Sequence, residues 1–127
     1  MYKEFIIIAV VITLIIGLDI LSNNYTKESV NIMSEELNIL RGYILKEDKQ
    51  KAVFQMQNVK SIWEQRYKVL AFYIEHDELE KIEMQLSLLK GQIEAKVYKD
   101  TFAEIEKCIF ILEHIKDKTS LNIKNIF

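Results

Sequence analysis

The side chains best suited to chemistry are two histidines, His76 and His114, and one cysteine, Cys108. Imidazole and carboxylate are transition-metal donors, and His76 has Glu75, Asp77 and Glu80 near it, as His114 has Glu113. Neither histidine has another at i+4, the spacing that stacks two imidazoles on one helix face. Helix ends also collect polar residues with no ligand present. The expectation is that His76, His114, Asp77 and Glu113 serve as caps and solvated ends, with metal binding the weaker alternative and no cofactor required. A lone cysteine excludes an intrachain disulfide, and Cys108 fits a buried small apolar side chain better than a reactive thiol. Trp63 and the tyrosines lie on or beside an apolar stripe, which suits a core. The sequence has no glycine-rich phosphate loop, nucleophile elbow or Ser/His/Asp arrangement, and its carboxylates are interleaved with lysine. A noncatalytic protein is expected.

The elements that would position these groups are helices. There is no proline and there are only three glycines among 127 residues, so turn-rich β architectures lack material. Half the residues are hydrophobic, yet 28% are charged, and the two classes are segregated along the chain. Outside residues 1–25, 16 Lys+Arg face 17 Asp+Glu. That balance provides no basic footprint for nucleic acid and no electrostatic drive toward an anionic lipid surface.

Phe5 to Leu21 reads FIIIAVVITLIIGLDIL. As a helix it spans about 26 Å, near the lower limit for crossing a bilayer core of about 30 Å. Tyr2 and Tyr25 bracket it in the manner of interfacial aromatics. The residues at the end of the run, Asp19 to Ser22, lack a small-x-small cleavage site, and no cysteine follows for lipidation. Residues 1–25 are therefore expected to be an uncleaved, single-pass signal anchor in a bacterial cytoplasmic membrane. The short N-terminal tail favours an exported bundle. Ala9, Thr13 and Gly17 recur every four residues, a small-residue seam along which another membrane helix could pack.

From Thr26 onward, apolar residues step by three and four. The stripes are Val30, Met33, Leu37, Leu40 and Ile44; Ala52, Met56, Val59, Trp63 and Leu70; Leu79, Ile82, Leu86, Leu89 and Ile93; and Phe102, Ile105, Ile109 and Leu112. Asp48, Asp77 and Asp100 stand at the breaks as candidate N-caps. Short connections make neighbours antiparallel. The spacing predicts an all-α chain, with the anchor followed by an up-down bundle of four helices near 26–46, 48–75, 77–98 and 100–117 and a tail at 118–127. In that topology both histidines fall at the anchor end, as do Ile123, Ile126 and Phe127. The main rival is a long coiled coil in which the first helix continues the anchor and the rest pack as a three-helix bundle.

Several short motifs occur together. They are Ser22-Asn23-Asn24-Tyr25 after the anchor, Lys46-Glu47-Asp48, mid-helix Trp63, His76-Asp77-Glu78-Leu79 and a terminal Asn125-Ile126-Phe127. In order and spacing the chain resembles the family of domain of unknown function 4363, small single-pass proteins of spore-forming Firmicutes such as clostridia. Lys49 departs from the family pattern, which often places an aromatic there. The resemblance implies an envelope location and a YetF-type integral membrane protein as partner. It assigns no catalytic or ligand residue. The expected role is a noncatalytic accessory module of a membrane complex. The alternatives are a ligand- or metal-sensing bundle and a self-associating, homo-oligomeric sporulation scaffold.

Overall fold

The computed structural model describes residues 1–126, with side chains described through Leu121. Four helices follow in order: α1 (Tyr2–Leu45), α2 (Lys49–Leu70), α3 (His76–Glu94) and α4 (Tyr98–Ile126). The chain is all-α, and each helix packs on its two neighbours in an α1–α2–α3–α4 ring. The core is one cluster drawn from all four helices, and it includes Leu37, Leu40, Met56, Trp63, Leu79, Ile82, Leu86, Leu89, Ile105 and Leu112. Ile109 is half-buried against that cluster, and the fully buried position beside it belongs to Cys108.

The apolar arm and the first bundle helix are a single helix, so there are four helices and not five. The boundary expected between the anchor, 1–25, and the first bundle helix, 26–46, contains no proline or glycine to interrupt hydrogen bonding. Thr26 and Ser29 are in fact buried, and α1 runs unbroken from the arm into the bundle. The last helix likewise runs past residue 118 to Ile126. The side chains of Ile123 and Ile126, and all of Phe127, lie outside the described residues.

The bundle is built from two similar helical hairpins. An offset of 49 residues takes Leu37 to Leu86, Leu40 to Leu89, Gly42 to Gly91 and Ile44 to Ile93. The same offset maps Met33, Met56, Val59 and Trp63 onto Ile82, Ile105, Cys108 and Leu112, all of them buried. The turns match as well. Glu47 (φ 52°) and Lys96 (φ 59°) each occupy the left-handed position after a helix end. Asp48 N–H donates to the Tyr43 carbonyl at 3.1 Å, and Val97 N–H donates to that of Gln92 at 3.0 Å. These are Schellman closures, made here without the usual glycine. Asp48 also caps α2, its carboxylate accepting from Lys51 N–H at 3.2 Å.

A polar clamp fixes the register of each hairpin. Gln55 donates to the Glu36 carbonyl at 2.9 Å and to its carboxylate at 2.6 Å. In the second hairpin Gln85 donates to the Glu104 carbonyl and carboxylate. The amide lies on the returning helix in the first hairpin and on the leading helix in the second. Both glutamines are 6% exposed, so a slip in register would strand a buried amide.

The caps foreseen at Asp77 and Asp100 fall elsewhere. The N-cap of α3 is Glu75, whose side chain makes no cap hydrogen bond, and Asp77 sits in the first turn. Asp100 also sits inside a first turn, because α4 begins at Tyr98. Both carboxylates still favour the positive end of the helix dipole.

Candidate functional site

The polar chemistry gathers where the arm enters the bundle. After α2, residues 71–74 turn across this end, with Ile74 N–H donating to the Leu70 carbonyl at 2.9 Å. The turn delivers the Tyr73 hydroxyl to α1, 2.7 Å from Thr26 Oγ1 and 3.0 Å from the Ser22 carbonyl. Thr26 Oγ1 donates to that same carbonyl at 2.8 Å. Two hydroxyl protons therefore serve three contacts, and together they tie the turn to the arm. Burial pushes the Tyr73 phenol above its ordinary value, the Thr26 hydrogen bond pulls the other way, and Tyr25 adds to the rise. The phenol stays protonated at neutral pH and available as a donor. One turn along, the Arg66 guanidinium lies 5.0 Å from the centre of the Tyr25 ring and 3.7 Å from the Glu28 carboxylate. Lys118 of α4 closes the collar, 3.8 Å from both Glu75 and Glu78.

The histidines lie at this end but do not converge on a ligand. His76, His114 and Asp77 are exposed, and Glu113 is paired with Lys116 at 2.6 Å. Among the described residues no three His, Cys, Asp or Glu side chains come together to hold a metal ion.

The arm presents the membrane-type residues bare. None of its apolar 18-residue window is buried, and it is the one helix among the described residues long and apolar enough to cross a membrane. Tyr2 is 87% exposed at its tip and Tyr25 is half-buried at its base. Along the seam, Thr13 Oγ1 donates to the Ala9 carbonyl at 2.8 Å, which satisfies the hydroxyl inside the helix. A Cβ built on Gly17 would meet nothing within 4 Å, so a second helix could approach there.

A cleft opens between α2 and α3, the most thinly packed of the four seams. One cavity of about 300 Å³ has Met56 and Ile93 on its lining, and one of about 220 Å³ has Trp63 and Leu86. The two share Lys60, Glu64 and Lys90. The nearby charges are mixed in sign and select no charged ligand.

Cys108 is fully buried, and burial raises its thiol from 9.0 to about 12. At pH 8 the folded thiol should react with iodoacetamide about a thousandfold more slowly than the urea-unfolded chain, because the thiolate is the nucleophile. The folded state holds this proton more tightly than the unfolded state does. Its stabilising contribution is therefore complete below pH 9 and declines as pH rises toward about 12, reaching up to about 4 kcal/mol. Urea titrations of the wild type and Cys108→Ala at pH 8 and pH 11 check this. Parallel losses in the two proteins would refute it.

Arm, collar and paired hairpins define a class: a four-helix bundle carried on a long apolar helix. The chain belongs to the family described as domain of unknown function DUF4363, whose model matches residues 20–126. The match takes in the collar and the bundle and leaves out most of the arm. No curated protein and no solved structure matches the chain.

Proposed function

We propose that the protein is a noncatalytic, membrane-tethered interaction module, an accessory subunit of a complex in a bacterial cytoplasmic membrane. The observation that carries this is the bare arm. Residues 5–21 expose almost nothing but hydrocarbon, and the bundle folds without covering it. Such a surface needs lipid or another helix around it. A span of this kind places Asp19 near the headgroups, where it stays hydrated. In this reading the bundle lies on the exported side of that membrane. The open face at Ala9, Thr13 and Gly17 suits close packing by a helix of an integral membrane protein.

The test has two parts. The intact mass of protein extracted from native membranes should include residues 1–21; a mature chain starting near Ser22 would make the arm a cleaved signal sequence. A photo-crosslinking residue at Thr13 should capture a discrete protein, while one at Val11, about 200° around the helix, should capture lipid. Lipid alone at both positions would remove the partner.

A further inference from the structure

The turn between α2 and α3 is apolar where a solvated loop would be polar. It reads Ala71-Phe72-Tyr73-Ile74, and Phe72 is 89% exposed. This phenylalanine stands outside the core cluster and the residues packed against it. Its height along the molecule is fixed by the collar. Antiparallel contacts set the register of α2 against α1: Gln55 and Asn58 reach Glu36, Arg66 reaches Glu28, and Tyr73 reaches the Ser22 carbonyl. Moving down α2 by one residue moves up α1 toward the arm by one, so Phe72 comes level with Ser22 and Asn23, next to Leu21. That is where the apolar run of α1 ends.

We infer that Phe72 is a second membrane contact, a wedge inserted at the boundary between headgroups and acyl chains beside the anchor. The inference rests on the arm spanning a bilayer. Because α1 passes from arm to bundle without a break, the bundle cannot swing away on a linker. The Tyr73 hydroxyl holds the turn against α1, so the Phe72 ring must meet the surface from which the arm emerges. α4 reaches the same depth. Arg41 pairs with Glu106, and a further 20 residues along each antiparallel helix puts the Ile126 backbone level with Leu21. On its way the helix passes Leu121, which is 56% exposed. The arm, the turn and α4 would thus seat the bundle upright, with its far end presented to partners.

Charge is not the attraction. Arg66, Lys116 and Lys118 at this end are matched by Glu28, Glu75, Glu78 and Glu113, and Lys27 and Lys68 are offset by Asp77, Glu80 and Asp117 on the same end of the bundle. Contact with zwitterionic lipid should therefore be as good as with anionic lipid, and it should resist salt.

The experiment uses the full chain in phosphatidylcholine vesicles. Trp63 is the only tryptophan, so Phe72→Trp in a Trp63→Phe background gives a single reporter, and Ile12→Trp in the same background reports on the arm. The expected result is that acyl-brominated lipid quenches both reporters and that both emit to the blue of free indole in water. If Trp63→Phe disturbs the core, Phe72→Cys in Cys108→Ala carrying an environment-sensitive fluorophore gives the same readout. Quenching at position 12 with a water-like signal at position 72 would overturn the wedge and leave the tether standing. A water-like signal at both positions would overturn both.

Discussion

Replacing Leu40 with alanine is expected to destabilise the bundle by about 2–5 kcal/mol, and replacing Leu89 by a similar amount. Both side chains are fully buried, and they occupy equivalent places in the two hairpins. Each deletion removes three carbons from the centre of a core shared by all four helices, and neighbouring helices locked by the Gln–Glu clamps cannot collapse into the space. Against a total stability of 5–15 kcal/mol typical of a domain, this is a large share. The adjacent residues supply the control. Ile39 is 45% exposed and Leu88 is 43% exposed, so Ile39→Ala and Leu88→Ala should each cost less than about 1 kcal/mol. Urea titration in mild detergent, followed by Trp63 fluorescence, would show the midpoint falling by about 1–3 M for Leu40→Ala and Leu89→Ala. Equal losses at 39 and 40, or at 88 and 89, would mean that the helices are rotated from the packing described.

That contrast works because the phase of each stripe is written in the sequence. Val30, Met33, Leu37, Leu40 and Ile44 step by three and four, and all five are buried on one face of α1. What the sequence hides is where helices stop. Glycine commonly marks the left-handed residue that closes a helix, and here Glu47 and Lys96 hold those positions; Asp48 still marks the break after α1, but no such cap announces the end of α3. Hence the sequence predicts α3 to 98, and the helix ends at Glu94. The end of α2 is masked differently. Leu70 to Ile74 prolongs the apolar stripe, but the segment is bent into a turn held by a tertiary contact, the Tyr73 hydroxyl on Ser22 and Thr26, which no local pattern encodes.

The repeat was legible and is easy to pass over. Leu37-Asn38-Ile39-Leu40-Arg41-Gly42-Tyr43-Ile44 aligns with Leu86-Ser87-Leu88-Leu89-Lys90-Gly91-Gln92-Ile93, and comparing the chain with itself reveals it. Elsewhere the matched positions share apolar character alone, which any amphipathic helix would show. His76 and His114 come to the same end, as alternating helix directions require, and both are exposed on different helices.

The arm allows the sharpest test of the tether. Between Phe5 and Leu21, thirteen residues are Phe, Ile, Val or Leu. At about −0.3 to −0.6 kcal/mol each for a central position, they favour insertion by roughly 4–8 kcal/mol, from which Thr13, Gly17 and Asp19 subtract. Arginine near the centre of a span costs about 2.5–3.5 kcal/mol. The double substitution Ile12→Arg and Ile15→Arg therefore swings the balance by about 6–8 kcal/mol and should abolish integration. Wild-type protein should stay with the membrane in alkaline carbonate, and the double variant should move to the supernatant. Ile12 and Ile15 are half exposed and touch nothing in the bundle, so the released protein should keep its helical circular dichroism and a buried Trp63. If both forms remain carbonate-resistant, the bundle itself is embedded and the arm is not what holds it. If the variant unfolds when released, the collar at Ser22, Thr26 and Tyr73 depends on the bilayer for its order, which would tie the fold to the membrane more tightly than a tether does.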